Sequence, residues 1–348
     1  MSTYNAFRRK VLRQVGAIAG ATACATSWRS ALAAPPALAM GLLRNPVAGL
    51  VSLGEHKGWF KEAGVDLQTV LFVGAGGPKV LQAMGGGSIA LGSVSATAAL
   101  LALAGRAVPL RIVSIATDPA PLFVLQSGPE IASVRDLAGK RVATTAGTGL
   151  QYFLVRALTK YGMSLTDVEF VNLPAGDAQS AFLAKRVEAV VPSLAGAAYI
   201  RTLRKDTRDL FTRSMFAQPP GSVSRFDDYD VFVAPASVVA ANAPALRAFL
   251  AAYHGKCVPY LHNPATQSDA VAEVTRYVNA EQKTPTDELA MRSQLLDSGF
   301  FDLGQAKAIM TSAEFRAGLD DQVRFLMSTK QLAGRIDLDG VIATELFG

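Results

Sequence analysis

Short apolar runs that lead through a glycine or serine turn into a helical stretch recur in two separate series, which restricts this chain to an alternating α/β architecture. In the first series Ala37 to Leu43 and Asp66 to Val73 read as strands, and Leu50 to Ala63 between them as a helix ending at Gly64. Gly74 to Gly77 is a turn, Pro78 suits the first position of a helix, and Lys79 to Met84 continues it. Ile89 to Leu91 is a short buried strand, Thr97 to Ala104 a helix, and Val108 to Ser114 another strand. Strands joined through helices lie parallel, so this order predicts a mostly parallel sheet flanked by helices.

The second series opens near Pro119. Leu122 to Gln126 and Arg141 to Thr144 read as strands, separated by a short helix, Val134 to Leu137, that closes at Gly139. Gly149 to Tyr161 is a helix, Val168 to Asn172 a strand, Ala178 to Ala184 a helix, Ala189 to Val191 a strand and Ala197 to Leu203 a helix. After Tyr229 the pattern changes: Asp230 to Ala234 is a strand, and nearly everything from Ala243 onward is helical. Such a tail cannot build a sheet of its own, so it is expected to pack back on the first lobe. The chain would then cross between lobes near Asp118 and near Asp230, giving a first lobe of residues 34–118 plus 234–348 and a second of 119–233.

With 50% hydrophobic and 18% charged residues, the chain can bury a sizeable core and is neither disordered nor collagen-like. Its formal charge of +6 suggests nucleic acid only until the charges are located. Arg8, Arg9, Lys10, Arg13 and Arg29 fall in a start that contains no acid, and the remaining 29 basic against 28 acidic residues leave no general footprint for a phosphate backbone. That start reads as an export signal, residues 1–33. Arg8 and Arg9 followed by Lys10, Val11 and Leu12 resemble the twin-arginine export motif, although Phe7 stands where Ser or Thr is usual. The uncharged stretch Gln14 to Trp28 is shorter than the roughly 20 residues of a membrane-spanning helix. Ala31-Leu32-Ala33 supplies the small residues of a cleavage site before Ala34. Ala21-Thr22-Ala23-Cys24 loosely resembles a lipoprotein box, a weaker route to a lipid anchor through Cys24. Cleavage before Ala34 would leave Cys257 alone, without an internal disulfide, and its expected role is a small buried apolar residue.

Catalytic signatures are absent: there is no G-x-S-x-G, no H-E-x-x-H and no C-x-x-C. His254 and His262 lie eight residues apart, which is not a metal-ligand spacing, and read as polar residues at a helix surface or end. Gly74-Ala75-Gly76-Gly77-Pro78-Lys79 superficially suggests a dinucleotide loop, but Lys79 stands where the third glycine belongs and Pro78 removes an amide donor. No cofactor or metal is expected. What several turns share is direction. The loop at Gly76, Ser93-Val94-Ser95-Ala96-Thr97, and Thr144 through Thr148 to Gly149 all lead from a strand into a helix. Helix starts carry unpaired N–H groups and the positive end of the macrodipole, so such turns favour a small anion held by neutral donors. Each hydroxyl alone is an ordinary helix cap; their repetition in both series carries the functional reading.

The order and spacing of several segments resemble the nitrate/taurine/alkanesulfonate-type solute-binding proteins of ABC importers. Leu53 to Val65, "LGEHKGWFKEAGV", is similar to the family's first helix, and Gly76 to Leu100 to the segment that brings the first lobe's loops to the cleft. Ser133 to Leu158 resembles the stretch opening the second lobe, and Ala181 to Ser193 its later strand. "VEFVNLPAGDAQSAF" and "YDVFVAP" look closest to the taurine branch. The resemblance implies a type II-like, two-lobed periplasmic binding protein with its ligand cleft at the hinge. It implies a monomeric, non-enzymatic protein of the periplasm that serves an ABC permease and its ATPase. Ligand contacts are implied at Arg44, Asn45 and Pro46, at Ala96 and Thr97, at Thr148 and Gln151, around Ser193, and at Asp230, the acid that would receive a ligand amine. The aromatic residue usual near Ser193 in the taurine pattern is missing, which implies a larger or reshaped pocket. The same fold could instead take an aromatic carboxylate, nitrate or a pyrimidine precursor, or serve an enzyme related to pyrimidine-precursor synthases.

Overall fold

The computed structural model describes residues 37–72, 76–105, 109–119, 123–217, 228–280 and 285–348; the export segment, Ala34 and Cys24 lie outside them. The described strands are β1 (Ala37–Leu43), β2 (Asp66–Phe72), β3 (Leu91–Ser95), β4 (Leu110–Thr117), β5 (Val124–Ser127), β6 (Arg141–Thr144), β7 (Glu169–Asn172), β8 (Ala189–Val190), β9 (Arg208–Thr212) and β10 (Asp230–Pro235). They form two five-stranded sheets, ordered β2-β1-β3-β10-β4 and β7-β6-β8-β5-β9. In each sheet four strands share one direction and one runs against its neighbours: β10 against β3 and β4, β5 against β8 and β9. The reversed strand is in both cases the first after a crossing from the other sheet. No helix of its own sheet leads into it, and that is the connection that makes strands parallel. Asp230 to Val233, counted with the second lobe above, therefore pair in the first sheet, with Asp230 opposite Ser95 and Thr117.

Between the strands of the first series lie α1 (Pro46–His56), α2 (Trp59–Glu62), α3 (Gly76–Gly85) and α4 (Ala96–Ala104). The second series carries α5 (Gly149–Lys160), α6 (Ala175–Leu183) and α7 (Leu194–Leu203). The tail holds α8 (Ala236–Ala252), α9 (Val258–His262), α10 (Gln267–Asn279), α11 (Glu288–Asp297), α12 (Leu303–Met310) and α13 (Ala313–Ser328). Helix α1 starts four residues before the expected Leu50, because the Asn45 side chain accepts from the Ala48 amide at 3.0 Å and Pro46 is preorganised for a first turn. It ends at His56; Gly58, at φ +74°, turns the chain before α2 begins. Strand β3 runs through Ser93 and Ser95, read above as a turn, since Ser93 is buried within the sheet.

The first sheet is sealed on the β4 side. Ile112 donates to the Val341 carbonyl at 2.7 Å and accepts from the Ala343 amide at 2.9 Å, while the Asp118 amide donates to Gly299 at 2.8 Å. An uncovered strand there would expose a template for pairing with other chains. Inside, Phe232 of β10 meets the rings of Phe249 and Tyr253 at 5.1 and 4.9 Å. Tail helix α10 packs on α1, and α13 lies against α4 and reaches α5. A smaller cluster, Ala143, Ala178, Phe182, Val187, Val190 and Ile200, joins β6 and β8 of the second sheet to α6 and α7. Among the described residues no helix is long and apolar enough to cross a membrane.

Candidate functional site

The starts of α4 and α5, one from each sheet, meet at a single side chain. On α4, Ser95 caps the Ala98 amide at 3.2 Å, the Ala96 amide donates to the Tyr229 carbonyl at 2.9 Å, and the Thr97 amide donates to Asp228 Oδ1 at 2.9 Å. The Thr97 hydroxyl donates to Gln322 Oε1 of α13 at 3.1 Å, and both side chains are buried. At α5, Thr148 adopts the extended backbone of a cap, but its hydroxyl donates to the Thr145 carbonyl at 2.7 Å, so no side chain caps the helix. The other oxygen of Asp228, Oδ2, faces Gly149, where a Cβ would collide with it. Gly149 is thus required by the carboxyl beside it. Asp228 is only 1% exposed, and Oδ2 has no hydrogen-bond partner among the described residues.

Helix starts favour negative charge, yet burial costs the ionised form more. Burial pushes the Asp228 carboxyl up to about 8, against the pull of the Thr97 amide, with Asp230 and Asp118 adding to the rise. Asp230, at the first position of β10, is pushed up to about 7 by burial and then by Asp118. Asp118 itself is paired with Arg213.

Further contacts join the two lobes around this point. Gln151 of α5, buried, accepts at Oε1 from the Gly147 amide at 2.8 Å and from Gln331 Nε2 at 2.7 Å. Tyr152 and Phe325 of α13 meet edge to face at 5.1 Å, an arrangement contributing about 0.5 to 1.5 kcal/mol beyond its buried area. Ser193 caps α7 by accepting from the Gly196 amide at 3.2 Å and bridges to Phe123 through the backbone. A Cβ at Gly149 would lie 3.6 Å from the ring of Phe123, which stands on the approach to β5.

Of the residues singled out in the sequence, Ala96, Thr97, Thr148, Gly149 and Gln151 gather here, with Ser193 reached through Phe123. Gly76 opens α3 at φ +64°, and its neighbour Gly77 lies against Val94 and Ala98. Arg44, Asn45 and Pro46 join β1 to α1, and the Arg44 guanidinium donates to the Tyr277 carbonyl at 3.1 Å. Asp228, Gln322, Gln331 and Phe123 join the site without being singled out in the sequence. The signal for Asp228 is the acid run Asp227-Asp228-Tyr229-Asp230 immediately before an apolar strand, within which Asp230 alone is expected at the ligand.

Of the two histidines expected at a helix surface or end, His262 closes α9, while His254, just past the end of α8, is fully buried. A π-helical turn, Tyr253–Cys257, carries it inward, where Nδ1 lies 2.7 Å from the Phe301 carbonyl and Nε2 2.9 Å from Ser114 Oγ. A carbonyl only accepts, so Nδ1 carries the proton and the serine hydroxyl donates to Nε2. Cys257 is buried and free, as expected of a small core residue, and burial pushes its thiol up to about 12. No cluster of His, Cys, Asp and Glu among the described residues could hold a metal ion.

A family model described as NMT1/THI5 like matches residues 45–266. A protein of Brucella abortus (strain 2308) named as a binding protein is 31% identical over 140 residues, 40% of this chain and 42% of that protein. One of Escherichia coli (strain K12), named for binding aliphatic sulfonates, is 29% identical over 178 residues, 50% of this chain and 54% of that protein. The matches thus span about half, or less, of each relative's length. The alkanesulfonate-binding protein SsuA from Xanthomonas axonopodis pv. citri, solved with MOPS bound, superposes with a TM-score of 0.70 at 20% identity, covering 89% of this chain and 99% of that one. With most of both sheets inside the matched span, the chain belongs to the NMT1/THI5-like family and has the two-lobed α/β fold of periplasmic binding proteins.

Proposed function

We propose that this protein is the solute-binding component of an ABC importer and closes on a small organic anion, an alkanesulfonate or aminosulfonate such as taurine. The convergence of the α4 and α5 starts, one from each lobe, carries the reading: an anion there would meet the first-turn amides of α5 directly and the start of α4 through Asp228, which the Thr97 amide holds. In this reading Ala96, Thr97, Thr148, Gly149 and Gln151 line the anion end. Arg44, Asn45, Pro46, Gly76, Ser193 and Asp230 form the surrounding wall. The relative named for binding aliphatic sulfonates supports the ligand class. A binding role without catalysis is supported by the histidines. His254 is sealed in the core, His262 meets the Phe300 carbonyl at 3.1 Å, and His56 pairs with Glu273.

The mature protein is proposed to begin at Ala34, after export to the periplasm, and to act as a monomer with a permease and its ATPase. Mass spectrometry of periplasmic protein should find Ala34 first; an acylated Cys24 would replace cleavage with lipid anchoring. Calorimetric titration with ethanesulfonate, taurine, nitrate and benzoate tests the ligand class. Preference for the two sulfonates is expected, and binding of nitrate or benzoate alone would overturn it in favour of the rival anions.

A further inference from the structure

The buried carboxyl between the two helix starts has a chemistry that an anion site does not need for its amides alone. Asp228 Oδ1 is engaged by the Thr97 amide, whereas Oδ2 is buried, unpartnered among the described residues, and aimed at the uncapped start of α5. We propose that Asp228 takes part in recognition as the neutral acid, donating its Oδ2–H to an oxygen of the bound anion that also faces the first-turn amides of α5. This rests on the anion reading above and names the residue that sets its selectivity.

The surroundings favour the acid form. No acidic or basic side chain lies in the first turn of α4 or α5. Among the described residues the charged groups acting on Asp228 are Asp230 on β10 and Asp118 beyond β4, both carboxyls, and Asp118 is itself paired with Arg213. An ionised Asp228 would set a second negative charge against the ligand's own, with a single group of amides between them. As a neutral acid it supplies a donor that amides cannot, directed from the strand side of the cleft. The proton comes from solvent and stays on the carboxyl, so no group is transferred. The rise of this carboxyl to about 8 means that the acid form is present at neutral pH and is lost above it.

The test is calorimetric titration of the wild type with ethanesulfonate, nitrate and benzoate between pH 6 and 9, in buffers of differing ionisation enthalpy. Affinity should fall about tenfold between pH 7 and 9, the ratio of acid-form populations for a group titrating near 8. Close to one proton should be taken up per anion at pH 9 and almost none at pH 6. Asp228→Asn, which keeps a donor but cannot ionise, should flatten the pH dependence and bind more tightly than the wild type at pH 9. The proton count needs only the wild type, so an unfolded variant would not remove the test. Ethanesulfonate affinity that is independent of pH, or a slope that survives in Asp228→Asn, would overturn the role of Asp228 and leave the sulfonate reading standing. The expected slope obtained with nitrate or benzoate alone would support Asp228 and overturn the sulfonate class. No binding of any of the three would overturn both.

Discussion

Replacing His254 by Gln should change the acid stability of the first lobe in a direction fixed by its burial. The ring is enclosed, hydrogen-bonded at both nitrogens, and pushed down to about 4 from 6.5 chiefly by burial, with the Phe301 carbonyl opposing. Because the folded value is depressed, the unfolded chain binds the proton more readily, and stability present above about 6.5 is lost as pH falls towards 4. A shift of that size corresponds to about 3 kcal/mol at its full extent. Gln keeps an amide able to reach one partner, so at pH 7.5 the variant should be less stable by about 1 to 3 kcal/mol. At pH 4 that deficit should shrink by about 3 kcal/mol, because only the wild type must keep an imidazole uncharged. Asp228 and Asp230 act in the opposite sense: their raised values favour the folded state as pH falls below about 7 to 8. Both proteins contain them, so the difference between wild type and variant isolates the histidine. Urea unfolding followed by tryptophan fluorescence at pH steps from 7.5 to 4 measures it. A difference that stays constant across the range would mean that burial of His254 does not depress its proton affinity.

Three other substitutions probe the site and the core. Gly149→Ala sets a methyl against Asp228 Oδ2 and should weaken ethanesulfonate at least tenfold in calorimetry while leaving helix content intact; undiminished affinity would contradict the packing of the two helix starts. Asp230→Asn should weaken taurine very roughly ten- to a hundredfold, the loss of one charge-assisted hydrogen bond, and spare ethanesulfonate. Equal losses for both ligands would assign Asp230 to the strand rather than to a ligand amine. Phe232→Ala, removing a fully buried ring between Phe249 and Tyr253, should cost about 3 to 5 kcal/mol in urea unfolding, and a loss below 1 kcal/mol would mean the core refills.

The parts of the fold legible in the sequence were those whose ends carry local chemistry. β1 and β6 were read at their observed limits because apolar runs of the right length end in turn residues, and the short helix Val134–Leu137 because Ser133 and Gly139 bracket it. β9 was missed: Arg208 and Asp209 are exposed, so its apolar signal comes from Leu210 and Phe211 alone. β3 lies later than the expected Ile89 to Leu91, sharing only Leu91 with it, because buried serines imitate a turn. Helix starts at Thr97 and Gly149 were visible as turn chemistry, since a start is a local event. Asp228 was not, because an acid run reads as solvated surface until the fold brings two helix starts onto it. Gln322 and Gln331 were hidden for the same reason: they lie on or just beyond the polar helix α13, and only tertiary packing turns them towards Thr97 and Gln151.

In the proposed bound form one anion is shared by the starts of α4 and α5. Amide-resolved NMR of the protein titrated with ethanesulfonate reads both starts at once. The amides of Thr97 and of Gly149 to Gln151 should shift together, with one saturation curve. Shifts confined to one lobe, or saturation of the protein with these amides unmoved, would contradict it.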